Sequence, residues 1–367
     1  MKFLQVVTLA LLLTTGGLAA TIYVPDNYAT IQAALDAAVT GDTIVVRPGA
    51  YFENIDFLGK NVVLRSEAGA DYTTIEGRQA GSVVTFQSGE GPGAVLEGFN
   101  IANGSGTVDS HNRTRGGGIY CVNGSSPVIR NNVISANFAD IGGGISIDES
   151  SLSIIDNVIK NNRADNPQNS MSGGGGGIHC RRSSALVQGN VIEGNITLGW
   201  SAFGGGFRGW YASATIIDNL FEDNRAYSGG ALALDVDGAA GPSLVEGNRF
   251  FGNQADWAGA ISSSFDTTVF SRNEIRANNA ENGGGVAFYA SKAALQSCMI
   301  TANGSTEDGG AIICTESSPS IVNCTIVANQ AGSRGGAIGC GYKTNPNVVN
   351  TILWANKIGR ASCRERV

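Results

Sequence analysis

The sequence is poor in residue types on which several kinds of site depend. Its 367 residues include only 2 His, 8 Pro and 15% charged residues. With His111 and His179 as the only histidines, a His-based zinc site is not expected. Neither a GxxxxGK(S/T) phosphate-binding loop nor GGxGxD calcium-binding repeats occur. Glycine is abundant at 52 residues, but it follows no collagen period and proline is scarce, which excludes collagen-like and Pro-rich disordered chains.

Apolar runs long enough to cross a membrane are also missing. The run from Phe3 to Leu13 is far shorter than the roughly 20 residues that span a bilayer, and no later run reaches that length. Lys2, this apolar run and the small residues that end at Ala20 are typical of a secretory signal peptide, which we place at residues 1–20. We therefore expect an exported protein, secreted or held at the cell surface, without a transmembrane segment.

The last ten residues, 358–367, differ from everything before them. They contain three Arg and an unplaced Cys, and they match the in-frame translation of a common short-read sequencing adapter. We expect them to be an artefact and the natural protein to continue past about Lys357, with a genuine basic tail as the alternative. Without Lys2 and this tail the formal net charge changes from −7 to −10, which argues against nucleic acid or anionic membranes as partners.

Glycine clusters recur along most of the chain and define a repeat. Nine of them are followed by a second signature that ends in Asn, and successive terminal Asn lie 25 to 33 residues apart. Units of this length supply about three short strands each and stack into parallel sheets with equivalent residues in register. The clusters are GGGIYC (116–121), GGGISI (142–147), GGGIHC (175–180), GGGFRG (204–209), GGALAL (229–234), AGAISS (258–263), GGGVAF (283–288), GGAIIC (309–314) and GGAIGC (335–340).

This pattern predicts an all-β fold, a single-stranded right-handed parallel β-helix over residues 21–357. The cap and first coils occupy 21–115, and nine regular repeats occupy 116–356. Gly is expected at sharp bends where no Cβ fits, and stacked Asn side chains are expected to form two ladders. One ladder contains Asn132, Asn157, Asn190, Asn219, Asn248 and Asn273, and the other contains the Asn that end the units.

Two stretches resemble known families. The pairing of GGAI at 309–312 with a segment from Ile326 to Asn329 resembles the repeats of the polymorphic outer-membrane protein family, which implies a surface-exposed β-helix that serves in adhesion. Residues 28–55 resemble the cap and first coil of the pectin-lyase-like superfamily, with TIQAALDAA as a short capping helix. The pectinesterase motifs QAVAL and DFIFG of that superfamily are absent.

One outward face of the predicted solenoid collects charged and aromatic residues. Strand alternation places His179 and Arg208 in one outward column, and Arg181, Trp210 and Asp235 in the next. Such a face can bind a glycan through stacking on aromatic rings and through guanidinium groups that meet carboxylates or sulfates, or it can be an ordinary solvated face. The candidate binding residues are His179, Arg181, Arg182, Trp200, Arg208, Trp210 and Tyr211.

Catalytic candidates are fewer and less specific. Asp235 and Asp237 lie about 7 Å apart on one strand face and form a possible calcium or acid/base pair. Asp148 and Asp235 are about 14 Å apart, which is too far for a carboxylate pair. A pectate lyase also needs a basic residue, for which Arg181 and Arg208 are the candidates. A separate loop holds Asp109, His111, Arg113 and Arg115, which is either a second titratable cluster or a polar turn.

The cysteines also follow the register. Cys314 and Cys340 share an inward position in adjacent coils, and Cys298 and Cys324 share a ladder position, so each pair is a candidate disulfide or simply a pair of small core residues.

Two functions remain open from the sequence. One is a secreted or surface β-helix that binds a polysaccharide or cell-surface glycan, or that serves adhesion or envelope structure. The other is a lyase or hydrolase acting on acidic polysaccharide, which alone would call for calcium.

Overall fold

The chain winds into a parallel β-helix of about 12 turns with one short helix. This description rests on a computed structural model, which describes residues 19–165, 173–199, 202–235 and 241–359. The predicted signal peptide therefore lies almost wholly outside the described residues, as does most of segment 358–367. None of the helices in these ranges is long and apolar enough to cross a membrane.

Three long parallel sheets form the sides of the solenoid, and each complete coil contributes one strand to each sheet. Sheet A consists of Thr21–Val24, Thr43–Val46, Val63–Ser66, Val95–Glu97, Val128–Arg130, Ser151–Ile155, Ser184–Gln188, Ser213–Ile217, Leu244–Glu246, Val269–Ser271, Ala294–Gln296, Ser320–Val322 and Asn347–Val349. Sheet B consists of Gly49–Tyr51, Thr73–Glu76, Asn100–Ala102, Val133–Ser135, Val158–Lys160, Val191–Glu193, Leu220–Glu222, Arg249–Phe251, Glu274–Arg276, Met299–Thr301, Thr325–Val327 and Ile352–Trp354. Sheet C consists of Ile55–Asp56, Val84–Phe86, Ile119–Cys121, Ile145–Asp148, Ile178–Arg181, Phe207–Trp210, Leu232–Asp235, Ile261–Ser264, Val286–Tyr289, Ile312–Thr315 and Ile338–Cys340.

Short strands occupy the connections between sheets B and C. A two-stranded antiparallel ribbon pairs Thr107–Val108 with Thr114–Arg115. Two parallel sheets contain, respectively, Phe138–Ala139, Arg163–Asp165 and Ile196–Leu198, and Asn279–Ala280, Gly304–Ser305, Gln330–Ala331 and Lys357–Ile358.

The predicted helix caps the first coil. It spans Ile31–Ala37, and the Thr30 hydroxyl accepts a hydrogen bond from the Ala33 amide at 3.1 Å, as expected for an N-cap. Ile31, Ala34 and Leu35 are buried against the solenoid core. The cap therefore covers apolar surface that the first coil would otherwise expose.

Both predicted Asn ladders are present in the structure. In the first, the Asn157 side-chain oxygen accepts hydrogen bonds from the Asn132 backbone amide at 3.0 Å and from its side-chain amide at 3.1 Å. The second ladder repeats this pattern, for example between Asn162 and Asn195. These Asn are buried, and because each amide also donates to backbone carbonyls, the polar groups of the turns are satisfied inside the solenoid.

Cysteines continue the first ladder in later coils. Cys298 and Cys324 follow Asn273, and their thiols donate to the Phe270 and Leu295 carbonyls at 3.3 and 3.6 Å, as the Asn amides do. Cys314 and Cys340 pair in register in sheet C. The register required by both candidate bridges is thus confirmed, while all six described cysteines are free thiols in the structure. The two disulfides stay a prediction.

Candidate functional site

The outward columns predicted from the sequence have the correct register. His179 pairs with Ser146 and Arg208, and Arg181 pairs with Asp148 and Trp210, in adjacent strands of sheet C. Asp235 continues the second column beside Trp210. Sequence reasoning therefore placed these residues correctly along the solenoid.

The first outward column is nevertheless covered. The residues that immediately precede the glycine clusters form a wall of parallel bridges over it. His179 is 0% exposed and Arg208 only 2% exposed, and the Phe203 ring of the wall lies against the Arg208 guanidinium. The members of this wall are Arg115, Ile141, Gly174, Phe203, Ser228, Trp257 and Asn282, and Asp308 bridges Arg334 in the same way on the last coils.

Contacts between Arg208 and the wall show why this side chain is not available to a ligand. Its Nη1 donates to the Gly173 carbonyl, and its guanidinium carbon lies 4.5 Å from the centre of the Phe203 ring. Burial lowers the pKa of Arg208 to about 10, which leaves it protonated at neutral pH. The expected encounter of Arg208 with an acidic sugar is therefore not possible in this structure.

His179 lies in the same covered column as a neutral imidazole. Burial, followed by the charges of Arg115 and Arg208, lowers its pKa well below the ordinary value. Among the residues that the structure describes, neither ring nitrogen has a hydrogen-bond partner. Because the ring is inaccessible, His179 does not line a surface where a substrate binds.

A buried ion-pair network lies beside this column. Arg115 Nε donates to Asp109 Oδ2 at 2.7 Å, and its Nη1 lies 3.6 Å from Asp148 Oδ2. Arg181 Nη1 donates to the same Asp148 oxygen at 3.0 Å, and Arg113 Nη2 lies 3.1 Å from Asp109. The sequence cluster at 109–115 thus joins the outward face as a paired network rather than as an isolated polar turn.

The pKa values of the network reflect its pairing. Burial alone would raise the pKa of Asp109, but hydrogen bonds from Arg115 and from the backbone amides of Arg113 and His111 lower it to about 2. Burial raises the pKa of Asp148 despite its arginine neighbours. Because Arg181 is paired with Asp148, the positive charge of the Arg181 guanidinium is already balanced by a carboxylate of the protein.

An open groove lies at the turn between sheets C and A, and we call it the serine groove. It has a volume of about 880 Å³ and is lined by Arg182, Trp210 and Tyr211 together with Glu149 and several serines. The Trp210 and Tyr211 rings lie 5.2 Å apart between centroids at an angle of 50°. Arg182 Nη1 is 3.3 Å from Glu149 Oε1. The serines of the lining are Ser150, Ser151, Ser183, Ser184 and Ser213.

Of the predicted binding residues, the structure therefore brings Arg182, Trp210 and Tyr211 together in one groove. Trp200 and Asp237 lie outside the described residues. Within the described ranges, no group of three or more His, Cys, Asp or Glu side chains is positioned to hold a metal ion.

A second depression on later coils was missed by the sequence analysis, and we call it the aromatic cleft. It has a volume of about 320 Å³ and lies between the wall and the second outward column. Tyr289 stands in the same column as Trp210 and Asp235, and Trp257 precedes a glycine cluster as Phe203 does. Extending the second outward column by two coils would have found Tyr289, whereas Trp257 stands in the wall, which the repeat pattern does not reveal. Its aromatic lining residues are Phe203, Tyr227, Trp257, Phe265, Phe288 and Tyr289.

The chain was compared with curated proteins, solved structures and protein families. A sequence comparison with curated proteins finds no match. Similar solved structures include the Agl-KA catalytic domain, with a TM-score of 0.48 and 14% identity over 86% of this chain and 64% of that domain. The chain thus spans less than two thirds of that domain. The A-module of an Azotobacter vinelandii mannuronan C-5 epimerase has a TM-score of 0.39 and 13% identity, covering 95% of this chain and 98% of that module. The Dettilon tailspike protein has a TM-score of 0.37 and 12% identity, covering 88% of this chain and 68% of that one.

The family assignment rests on the sequence itself. The polymorphic outer-membrane repeat type, which the glycine clusters resemble, is not tested by these similarities and stays a prediction. The protein-family model described as the right-handed β-helix region matches the sequence at residues 168–304 and 205–363. Together these matches span more than half of the chain. The predicted right-handed parallel β-helix is therefore confirmed, and the chain belongs to the right-handed β-helix family.

Proposed function

We propose that this chain is an exported glycan-binding protein in which a polysaccharide or cell-surface glycan lies in the serine groove. The observation that carries the proposal is the lining of that groove, where the Trp210 and Tyr211 rings adjoin a row of serine hydroxyls. Sugar rings present apolar C–H faces that stack on aromatic rings and hydroxyl edges that exchange hydrogen bonds. Adhesion to a surface glycan is the role that such binding would serve.

The polar groups of the groove suit this ligand. Ser151 and Ser184 hydroxyls lie 2.9 Å apart on adjacent strands, so their remaining hydrogen-bonding capacity faces the groove in a regular row. The Arg182 and Glu149 side chains are both more than half exposed and can donate to and accept from sugar hydroxyls. Equivalent groups repeat at the spacing of the coils, which suits a polymer better than a compact ligand.

Glycan binding accounts for the groove better than lyase action on acidic polysaccharide. Of the basic residues available to a lyase, Arg208 is buried beneath the wall and Arg181 is paired with Asp148. Asp235 alone supplies neither the acidic cluster that holds calcium nor a carboxylate pair for hydrolysis. Catalysis by Asp235 with Asp237 stays a hypothesis, since Asp237 is outside the described residues.

The proposal is tested by glycan-array screening of the chain followed by titration calorimetry on the glycan that binds. We expect Trp210→Ala and Tyr211→Ala each to weaken binding about tenfold, as for central aromatic residues of an interface. Trp354→Ala is the matched control, because Trp354 is exposed on the last coil away from the groove. Unchanged affinity in both groove variants would contradict the proposal.

A parallel assay distinguishes binding from turnover. The absorbance of unsaturated uronate is followed while the protein is incubated with uronate polymers, with and without calcium. We expect no turnover. Calcium-dependent product formation that is abolished by Arg181→Ala would establish the lyase instead.

A further inference from the structure

We propose that the serine groove and the aromatic cleft are two parts of one site, which binds a single linear glycan chain that extends over several coils. The inference rests on the proposed function, because the serine groove is one part of the site. Trp210 lines the groove, and Asp235, its partner in register on the next strand of sheet C, lines the cleft. The two depressions therefore meet at adjacent residues of the second outward column.

The second outward column connects the two parts. After Asp235 it continues in register with Ser264, Tyr289 and Thr315, and all three line the cleft. From Trp210 to Thr315, every residue of this column is at least partly exposed. Three steps between adjacent strands separate Trp210 from Tyr289, which is about 14 Å at the usual strand spacing. A ligand that contacts both rings must therefore be an extended chain.

Aromatic rings are exposed in both parts. Trp257 stands in the wall and is 39% exposed. Tyr289 and Phe265 are 45% and 48% exposed, with ring centroids 5.5 Å apart and nearly perpendicular planes. Each of these rings would gain free energy from being covered, as would the Trp210 and Tyr211 rings of the groove. A chain in which every unit has an apolar face can cover rings in both parts at once.

One buried guanidinium contacts a ring of each part. The guanidinium carbon of Arg208 lies 4.5 Å from the centre of the Phe203 ring, which lines the cleft, and 5.9 Å from that of the Trp210 ring. The two parts are therefore held in a fixed relation, and a ligand need not order them. The charge of Asp235 also acts on this guanidinium, so the carboxylate at the junction is compensated within the protein. The inference consequently holds for neutral and for acidic glycans alike.

The shape of the cleft favours a single chain. Its volume of about 320 Å³ is spread along four strands, from Leu232–Asp235 to Ile312–Thr315. The wall borders it on one side and the second outward column on the other. A cleft that is long and narrow accommodates a linear chain better than a branched glycan.

Hydroxyl groups accompany the rings and indicate a sugar. Ser264 and Thr315 stand on the strands before and after Tyr289 and line the cleft with it. A purely apolar chain would cover these hydroxyls without offering them partners, at a cost in free energy. Rings beside hydroxyls match the apolar faces and hydroxyl edges of a glycan, as they do in the serine groove.

The experiment is isothermal titration calorimetry of the full chain with short and long probes. The short probes are maltose, cellobiose, laminaribiose and digalacturonate, and the long probes are the hexasaccharides of the same four series. A disaccharide is too short to contact both Trp210 and Tyr289. Because a longer chain reaches the second part intramolecularly, we expect the hexasaccharide of the series that binds to have at least about a hundredfold higher affinity than its disaccharide.

Variants in both parts should weaken the binding of the same hexasaccharide. We expect Trp210→Ala in the groove, and Trp257→Ala and Tyr289→Ala in the cleft, each to weaken it about tenfold. Trp257→Phe keeps an aromatic ring and should weaken it less than about threefold. Trp354→Ala removes an exposed Trp that lies in neither part and should have no effect. Thermal unfolding of each variant checks that the fold is retained.

The outcomes separate this inference from the proposed function. Hexasaccharide binding that Trp210→Ala weakens, but that Trp257→Ala and Tyr289→Ala leave unchanged, would keep the proposed function and overturn the single site. Equal affinity for the disaccharide and the hexasaccharide would overturn it as well. Binding that only the two cleft variants weaken would reject the groove as a binding part, and with it both proposals. Both are also rejected if no hexasaccharide binds.

Discussion

At the scale of single residues, the two ladders show how a sequence rich in Asn builds a core that tolerates polar groups. Within a ladder, the Asn219 side-chain oxygen accepts two hydrogen bonds from Asn190 of the preceding coil, and the Asn190 side-chain amide also donates to the Ile154 carbonyl. A residue without this amide leaves buried backbone groups without partners.

Replacing one ladder residue should therefore destabilise the protein. We expect Asn190→Ala to lower the free energy of unfolding by about 2–3 kcal/mol, because several buried groups around one site lose their partners. Thermal or denaturant unfolding measures the change. Asn279→Ala is the control, since Asn279 is exposed and its side-chain amide makes a long hydrogen bond of 3.5 Å to the Ala277 carbonyl. Equal effects of the two substitutions would contradict this account of the ladder.

The buried ion-pair network predicts a dependence of stability on pH. The pKa of Asp109 is about 2 in the folded chain, below its ordinary value. A carboxyl group with a depressed pKa contributes stability above its unfolded pKa near 4 and loses it as the pH falls towards 2. We expect Asp109→Asn to cost about 2 kcal/mol at pH 7 and much less at pH 2.

Denaturant unfolding of both proteins across this pH range measures the difference. Asp71→Asn is the matched control at an exposed carboxylate, and it should cost little at either pH. A cost of Asp109→Asn that stays constant from pH 7 to pH 2 would show that the ionised form of Asp109 contributes nothing.

At the scale of the elements, the sequence predicted the strands of the solenoid well and the wall not at all. Inward residues such as Ile178 and Phe207 repeat at one position of every coil, so their pattern is visible without the structure. The wall consists of single bridges between unlike residues, for example Phe203 with Ser228, and such a segment has no hydrophobic period. Alternation alone therefore placed His179 and Arg208 correctly outside the core but wrongly predicted that they were accessible.

The same reasoning explains which parts of the sites were predictable. Arg182 and the Trp210–Tyr211 pair stand at equivalent turns of adjacent coils whose register the repeats define, so their grouping followed from the sequence. The aromatic cleft needs Trp257 from the wall and Tyr289 from sheet C, which only the folded turn brings together. Charge pairing was equally hidden, because Asp109 lies on a ribbon outside the repeat.

Among the elements of the solenoid, the bends at the glycine clusters tolerate substitution least. A Cβ at Gly176 would lie 2.6 Å from the Ile196 carbonyl oxygen and 2.7 Å from that of Gly205, both in the backbone. We expect Gly176→Ala to destabilise the protein by at least about 2 kcal/mol, because backbone in two coils must move. The midpoint of thermal unfolding measures this effect.

Gly241→Ala provides the comparison for this bend. A Cβ at Gly241 would meet no atom of the described residues within 4 Å, so the substitution should leave stability within about 0.5 kcal/mol of the original. If Gly176→Ala were equally neutral, the glycine clusters would not be required by the close approach of neighbouring coils.

At the scale of the whole molecule, stability comes from contacts between neighbouring coils. In the described chain every long sheet is a stack in which each strand pairs only with the strands before and after it. Stability in such a solenoid is approximately a sum over coils and their interfaces, so a local defect should spread over a few coils and not over the whole protein. The N-terminal cap is the place to test this, since Leu35 is fully buried against the first coils.

We expect Leu35→Glu to detach the cap helix, because a buried carboxylate without a partner costs several kcal/mol. Hydrogen exchange of backbone amides should then accelerate in the first strands of sheet A, through Val63–Ser66, while Ile178–Arg181 and Phe207–Trp210 keep their protection. Asp36→Asn, on the exposed side of the same helix, should leave the exchange pattern unchanged. Uniform acceleration across all coils in Leu35→Glu would mean that the solenoid unfolds as one cooperative unit, and the binding sites on its middle coils would then depend on the cap.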